Sequence, residues 1–405
     1  MSYLLLFTVM YAVLAAGLPR LWAVTIPQVC LFACVAWVAH RKFREGSAAR
    51  FPWFLAAPAL LLIIGTAQLL AHSTVYALPT ARAALDWAAY LACGWLTVQV
   101  MQAPTIRERL LVWWACFSGA VCACAILTAF TSPFHLFWLL QVRFEQVFGP
   151  YVYRNQLAAF VELSLPIVLY LAIRETERRA LFLMIAAVQV SSVVVSASRT
   201  GLIMVGLELV VLLALAAQKR WFAPKASVTF ALLLASCVLA GAGLAGFSTI
   251  EKRFAEKHPY QVRHEILLST LHMARARPLV GWGLGNFRTV YPAYGRVDPG
   301  VLVNEAHNDW AQWAAEGGIC AAVAMFLFAG WSSWVGLKTG WAIGVAAVFC
   351  HAFVDYPFEE PSLVLVIMLL SALAWNSVNR EGSSKSHRHN VPPPSRPTAP
   401  ESNPV

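Results

Sequence analysis

Long apolar runs, each closed by a charge or a cluster of turn residues, recur along almost the whole chain. Twelve can be marked, at about 2–18, 21–39, 51–71, 84–102, 110–130, 155–173, 180–197, 201–217, 226–247, 315–336, 339–354 and 361–377. Each approaches the roughly 20 residues a helix needs to cross a bilayer core. The stretch 180–217 is too long for one crossing. Ser196-Ala197-Ser198-Arg199-Thr200-Gly201 divides it, so a tight turn between two short spans is expected there. Polar residues gather instead in one long segment, about 248–313, and in the tail after Val378, which holds six prolines including Pro392-Pro393-Pro394. The pattern predicts a transmembrane domain over about 1–378 and a disordered cytoplasmic tail over 379–405.

Composition turns this pattern into a class. Of 405 residues, 59% are hydrophobic and 12% charged, with a mean hydropathy of +0.63, whereas soluble domains carry about 25% charged residues. No aqueous fold hides that much apolar surface. The expectation is an all-α polytopic membrane protein of about twelve transmembrane helices, with one large outer-face loop containing short helices. The net charge of +10 then reads as an orientation signal, and no nucleic-acid partner is implied. Starting inside, thirteen basic residues fall on one side (Arg41, Lys42, Arg44, Arg50, Arg107, Arg109, Arg174, Arg178, Arg179, Lys219, Arg220, Lys225 and Lys338) and five on the other (Arg20, Arg82, Arg143, Arg154 and Arg199). Both termini are therefore expected in the cytoplasm, and 248–313 outside. The nine cysteines all lie in apolar stretches, so no disulfide framework is expected.

Candidate chemistry collects on the outer side. The segment 248–313 carries Lys252, Arg253, Lys257, Arg263, Arg275, Arg277, Arg288 and Arg296, which suits an anionic substrate. Gly281, Gly283 and Gly285 alternate, so their N–H groups either cradle an anion or simply shape a turn. A Rossmann reading fails because no βαβ unit surrounds them. Residues 304–318 suggest a short helix capped by Asn304 and broken at Gly317-Gly318, with His307, Ala311 and Ala314 on one face. His307 is then either an accessible functional imidazole or a satisfied structural one. Arg154 and Arg199 sit at the outer edge, as binding groups or as headgroup anchors. No His-x-x-x-His or Asp-x-Asp spacing points to a metal. A rhomboid-like protease is set aside, because Ser196 and Ser198 lack a Gly-x-Ser-x-Gly setting.

In order, Gly149-Pro-Tyr-Val-Tyr-Arg-Asn155, Ser196-Ala-Ser-Arg199-Thr-Gly, Arg263-His-Glu-Ile, Pro278-Leu-Val-Gly-Trp-Gly-Leu-Gly-Asn-Phe, Ala306-His307-Asn308-Asp and Val354-Asp355-Tyr-Pro-Phe make up a series. Over roughly 149–360 it resembles the O-antigen ligase and polymerase family of bacterial membrane glycosyltransferases. The resemblance implies transfer of a glycan from an undecaprenyl-pyrophosphate carrier to an acceptor hydroxyl, with inversion, on the periplasmic face of the inner membrane. It implies no metal and no cofactor. Partners would be that lipid-linked donor, a lipid A core or glycan acceptor, and membrane lipids. On the matching positions His307 corresponds to the catalytic histidine, and Arg199 and Arg263 to the pyrophosphate-binding arginines. Arg154, Asn155, Gly283, Gly285, Asn308 and Asp355 are supporting candidates. Ala321 departs from the family's Gly, Thr or Tyr, which counts against a true ligase. A repeat-unit polymerase is the alternative within the class. A transporter or flippase is the alternative outside it, disfavoured because the span centres look nearly free of charge.

Overall fold

The computed structural model describes residues 1–18, 21–142, 146–218, 261–296, 300 and 302–389. Helices dominate: α1 Ser2–Leu14, α2 Leu21–Arg44, α3 Ala56–Leu70, α4 Ala77–Val100, α5 Pro104–Thr131, α6 Arg154–Arg174, α7 Arg179–Ser196, α8 Arg199–Gln218, α9 Gln261–Ala276, α10 Phe287–Val290, α11 Asp309–Thr339, α12 Gly344–His351 and α13 Pro361–His389. The only sheet among the described residues is a two-stranded antiparallel ribbon, β1 His135–Leu136 with β2 Leu140–Gln141. Among these residues eight helices are long and apolar enough to cross a membrane.

Helix α6 is buried almost throughout and packs against α5, α7, α8, α12 and α13. Its sequence explains this, since LAAFVELSLPIVLYLA is apolar on every side and a helix hydrophobic all round belongs in the middle. Helices α6, α7 and α8 run up and down. The turn expected at 196–201 is present, made by Ala197 in the left-handed conformation (φ 51°). At about 1.5 Å per residue, the 21 residues of α6 place the Arg174–Arg179 turn about 30 Å from Arg154.

Four expected spans differ. The one at 84–102 falls in α4, which is not among the eight helices long and apolar enough to cross a membrane. The one at 2–18 shortens to the 13 residues of α1. The one at 339–354 becomes α12, whose eight residues are too short to cross alone, because Gly340 (φ 78°) ends α11 and Trp341–Ile343 turn before a new helix starts. The one at 226–247 lies outside the described residues, as do 248–260 of the expected outer loop. Helix α13 also runs past 378 to His389. Residues 390–405 lie outside the described part.

Helix α11 breaks at Gly318 (φ 73°), as the glycine pair suggested. The loop after α9 fills the break: Ile319 N–H donates to Pro278 O at 2.8 Å, and Gly283 N–H to Glu316 O at 3.0 Å. A Cβ at Gly281 or Gly318 would run into the backbone of the other strand of this contact. Glycine at both positions is what lets loop and helix meet.

Candidate active site

Two helix starts face one end of the bundle. Ser198 caps α8, its Oγ accepting from Gly201 N–H at 3.1 Å and donating to Asn155 Oδ1 at 2.7 Å. Asn155 lies in the first turn of α6, so one hydroxyl fixes the two helices together. Arg199 and Arg154 are thereby the first residues of α8 and α6, adding their charge to the partial positive charge of each helix N-terminus.

A second set of bonds places His307. Asn308 caps α11, its Oδ1 accepting from Ala311 N–H at 2.9 Å. Its Nδ2 donates to Phe353 O at 2.7 Å. Asp309 N–H donates to Ala352 O at 3.0 Å, and Phe358 N–H donates to Asp309 Oδ2 at 3.0 Å. These ties pin the segment between α12 and α13 against the start of α11 and set Asp355 beside His307. Gln312 folds back to accept from Ala306 N–H at 2.8 Å and to donate to Glu305 Oε2 at 2.8 Å. His307 itself is held with φ 51°, a conformation that costs a non-glycine residue about 1 kcal/mol or more and that clusters at functional sites.

Asp355 is the hub. Its Oδ1 stands 3.4 Å from His307 Nδ1 and accepts from Tyr356 N–H at 3.0 Å. Its Oδ2 stands 3.3 Å from Arg263 NH1 and accepts from Asn155 Nδ2. Arg263 NH1 also donates to Val354 O at 2.7 Å. Burial alone would push the Asp355 carboxyl up, but the His307 bond and the charges of Arg263 and His351 outweigh it and hold it down at about 2. It is therefore a carboxylate at any working pH. The cavity in front has a volume of about 480 Å³ and is lined by Arg154, Asn155, Arg199, Arg263, His307 and Asp355, with Tyr153, Glu305 and Tyr356 among the rest. Three guanidinium groups lining one cavity with a histidine–carboxylate pair make an arrangement that can take up a multiply charged anion, with proton transfer beside it.

Residues 181–326 match the family model for O-antigen ligase. The resemblance read from the sequence is borne out. A comparison with curated proteins finds no match for the chain. The match supports O-antigen ligase or polymerase-type function in polysaccharide assembly, by members that are membrane glycosyltransferase-like enzymes. The matched segment contains Arg199, Arg263 and His307. Arg154, Asn155 and Asp355 lie outside it in sequence, and the fold brings them to the same cavity.

Other expectations change. No helix carries His307, since α11 starts at Asp309 and is capped by Asn308, not Asn304. The reason is the pair of bonds from Asn308, which satisfies both the helix start and the neighbouring segment. His307, Ala311 and Ala314 therefore share no helical face, and Glu305 lines the cavity together with His307. Gly283 and Gly285 are not brought to it. The turn does hold a carboxyl group, but its own: Gly285 and Phe287 N–H groups donate to the two oxygens of Glu316 at 2.8 and 2.7 Å, and Leu284 N–H to Gln68 Oε1 at 3.0 Å. Asn308 holds the site from behind and is not part of the lining.

Charge within the spans is also less sparse than the sequence suggested. Glu162 and Glu208 are buried in α6 and α8, and His351 Nδ1 lies 2.8 Å from Glu162 Oε1. The bias against a transporter therefore rests on the cavity at one end of the bundle and on the family match. Tyr153, Tyr356 and the His351–Glu162 pair escaped the sequence reading, because nothing in a Tyr or Glu within an apolar run tells which way it will face.

Proposed function

We propose that the chain transfers a glycan from an undecaprenyl-pyrophosphate carrier to an acceptor hydroxyl, at the outer face of the bacterial inner membrane, without a metal and with inversion. The observation that carries this reading is the cavity in which Arg154, Arg199 and Arg263 surround the His307–Asp355 pair. Guanidinium groups suit the departing diphosphate, since each can hold two oxygens at once. His307 acts as the general base. With its Nδ1 turned to the Asp355 carboxylate, the Nε2 is left to accept the acceptor's proton. The acceptor oxygen then attacks the anomeric carbon, a new C–O bond forms, and the old C–O bond breaks toward the phosphate, whose charge the arginines take up. The proton stays on His307 until solvent removes it.

Burial pushes Glu305 up, to about 8, so near pH 7 it is mainly a neutral acid and a poor base beside His307. Lipopolysaccharide or surface polysaccharide assembly is the setting this chemistry fits, whether the acceptor is a lipid A core or a growing glycan. The test is transfer from purified lipid-linked glycan by the reconstituted protein, with Arg199→Ala and Arg263→Ala beside the wild type. Undiminished transfer in both variants removes the diphosphate clamp, and with it this reading.

A further inference from the structure

Asp355 divides the cavity into two unlike walls. Around Oδ2 stand Arg263 and Asn155, the cationic side. Around Oδ1 stand His307 and the Tyr356 backbone. On that second side the Tyr356 ring meets the His307 imidazole edge to face, centroids 4.8 Å apart at 73°, and Tyr153 stands 6.2 Å from Tyr356 at 74°. Both tyrosines are half-buried, line the cavity and lie outside the hydrophobic core. Glu305 lines the same cavity and is fixed by Gln312, whose amide donates to Glu305 Oε2 at 2.8 Å.

Aromatic rings beside a fixed carboxyl make a surface with one apolar face and one strong hydrogen-bonding group. A lipid tail has no use for the carboxyl, and a diphosphate is repelled by it whenever it ionises. A sugar ring uses both, because its C–H face is apolar and its rim carries vicinal hydroxyls. Resting on the function proposed above, we infer that Tyr153, Tyr356 and Glu305 form a pyranose-binding wall beside His307, with the ring stacked on Tyr356 and its hydroxyls bonded to Glu305. The ring is either the first sugar of the donor or the terminal sugar of the acceptor.

The experiment uses the full-length protein in lipid nanodiscs and two kinds of probe. Farnesyl diphosphate is compared with farnesyl diphosphates carrying glucose, galactose or N-acetylglucosamine, and methyl glycosides of the same sugars are titrated with farnesyl diphosphate saturating. If the ring is the donor's, wild type binds at least one sugar-bearing diphosphate about tenfold more tightly than the bare one, on the scale of one aromatic contact and its hydrogen bond. Tyr356→Leu and Glu305→Ala then lose that preference, Tyr356→Phe keeps it, and affinity for bare farnesyl diphosphate stays unchanged in all three, which also shows that they fold. If the ring is the acceptor's, the same pattern appears in methyl glycoside binding. Equal binding of every sugar-bearing probe by wild type and Tyr356→Leu overturns the wall while leaving the diphosphate site standing. Failure of wild type to bind bare farnesyl diphosphate overturns the underlying reading as well.

Discussion

His307 and Asp355 stand 3.4 Å apart, Nδ1 to Oδ1, although 48 positions separate them in the chain. Neither residue makes this contact by itself. Asn308 and Asp309, immediately after the histidine, bind the backbone on both sides of the aspartate, so the pair is as rigid as the start of α11. Removing the carboxylate therefore removes an orientation and a charge together. Asp355→Asn keeps the shape, loses the charge that supports the imidazolium and loosens Arg263. Turnover falls by about 10²–10⁴-fold, with little change in expression, as measured by initial rates of glycan transfer.

The arginines require geometry as well as charge. Arg199→Lys and Arg263→Lys each exchange a planar fork for a point charge. A lost charge-assisted contact costs about 1.5–3 kcal/mol, so rates fall roughly 10–150-fold if the contact is made in the transition state. Full activity in both variants makes these residues headgroup anchors.

Two carboxyls give the stability of the protein opposite pH limbs. The folded value of Glu305, about 8, lies above the ordinary range near 4.3. Its contribution is complete below about pH 4 and is lost as pH rises toward 8. Asp355 at about 2 lies below its ordinary value, so its contribution is present above about pH 4 and is lost as pH falls toward 2. Thermal unfolding in detergent is expected to show a melting temperature that falls between about pH 4 and 8, and Glu305→Gln makes that limb shallower. Glu305→Gln also keeps most of the transfer activity at pH 7, unless the sugar wall makes binding limiting, in which case KM rises and kcat does not fall.

The kink in α11 has its own internal control. Gly318 holds φ 73° against the 278–281 loop, whereas Gly330 in the same helix has nothing near its missing side chain. Gly318→Ala is expected to destabilise by about 1–3 kcal/mol or more, and Gly330→Ala to be neutral or slightly stabilising. Melting temperatures of the two variants check this directly.

Orientation is testable without substrate. Glu177 lies in the turn between α6 and α7, at the far end of α6 from the cavity, and Pro292 lies in the segment between α9 and α11. Reporter fusions at the two positions are expected to report opposite sides of the membrane, with Glu177 inside.

Hydrophobic periodicity was enough to find most of the helices, since a lipid solvent demands long apolar runs and little else. It failed where length and burial part company. The apolar run at 339–354 holds α12 and a turn on either side of it, because Gly340 and the ties from Asn308 and Asp309 redirect the backbone, and no local signal carries that information. At the site, Arg199, Arg263 and His307 were legible through an ordered motif series. Asp355 was legible only as a supporting residue, because its role depends on contacts across the fold. The glycine turn misled for a physical reason: it does have the anion-binding form, but Glu316 of the same chain fills it.

The proposed function makes His307 the base in a transfer that needs no metal. The measurement is transfer from purified lipid-linked glycan by reconstituted wild type and His307→Ala, each with and without a chelator. Wild-type turnover is expected to be unchanged by the chelator, and turnover in His307→Ala to fall by about 10²–10⁴-fold, while both proteins bind the donor alike. A wild type stopped by chelation, or a His307→Ala variant turning over at near-normal rate, contradicts the proposed function.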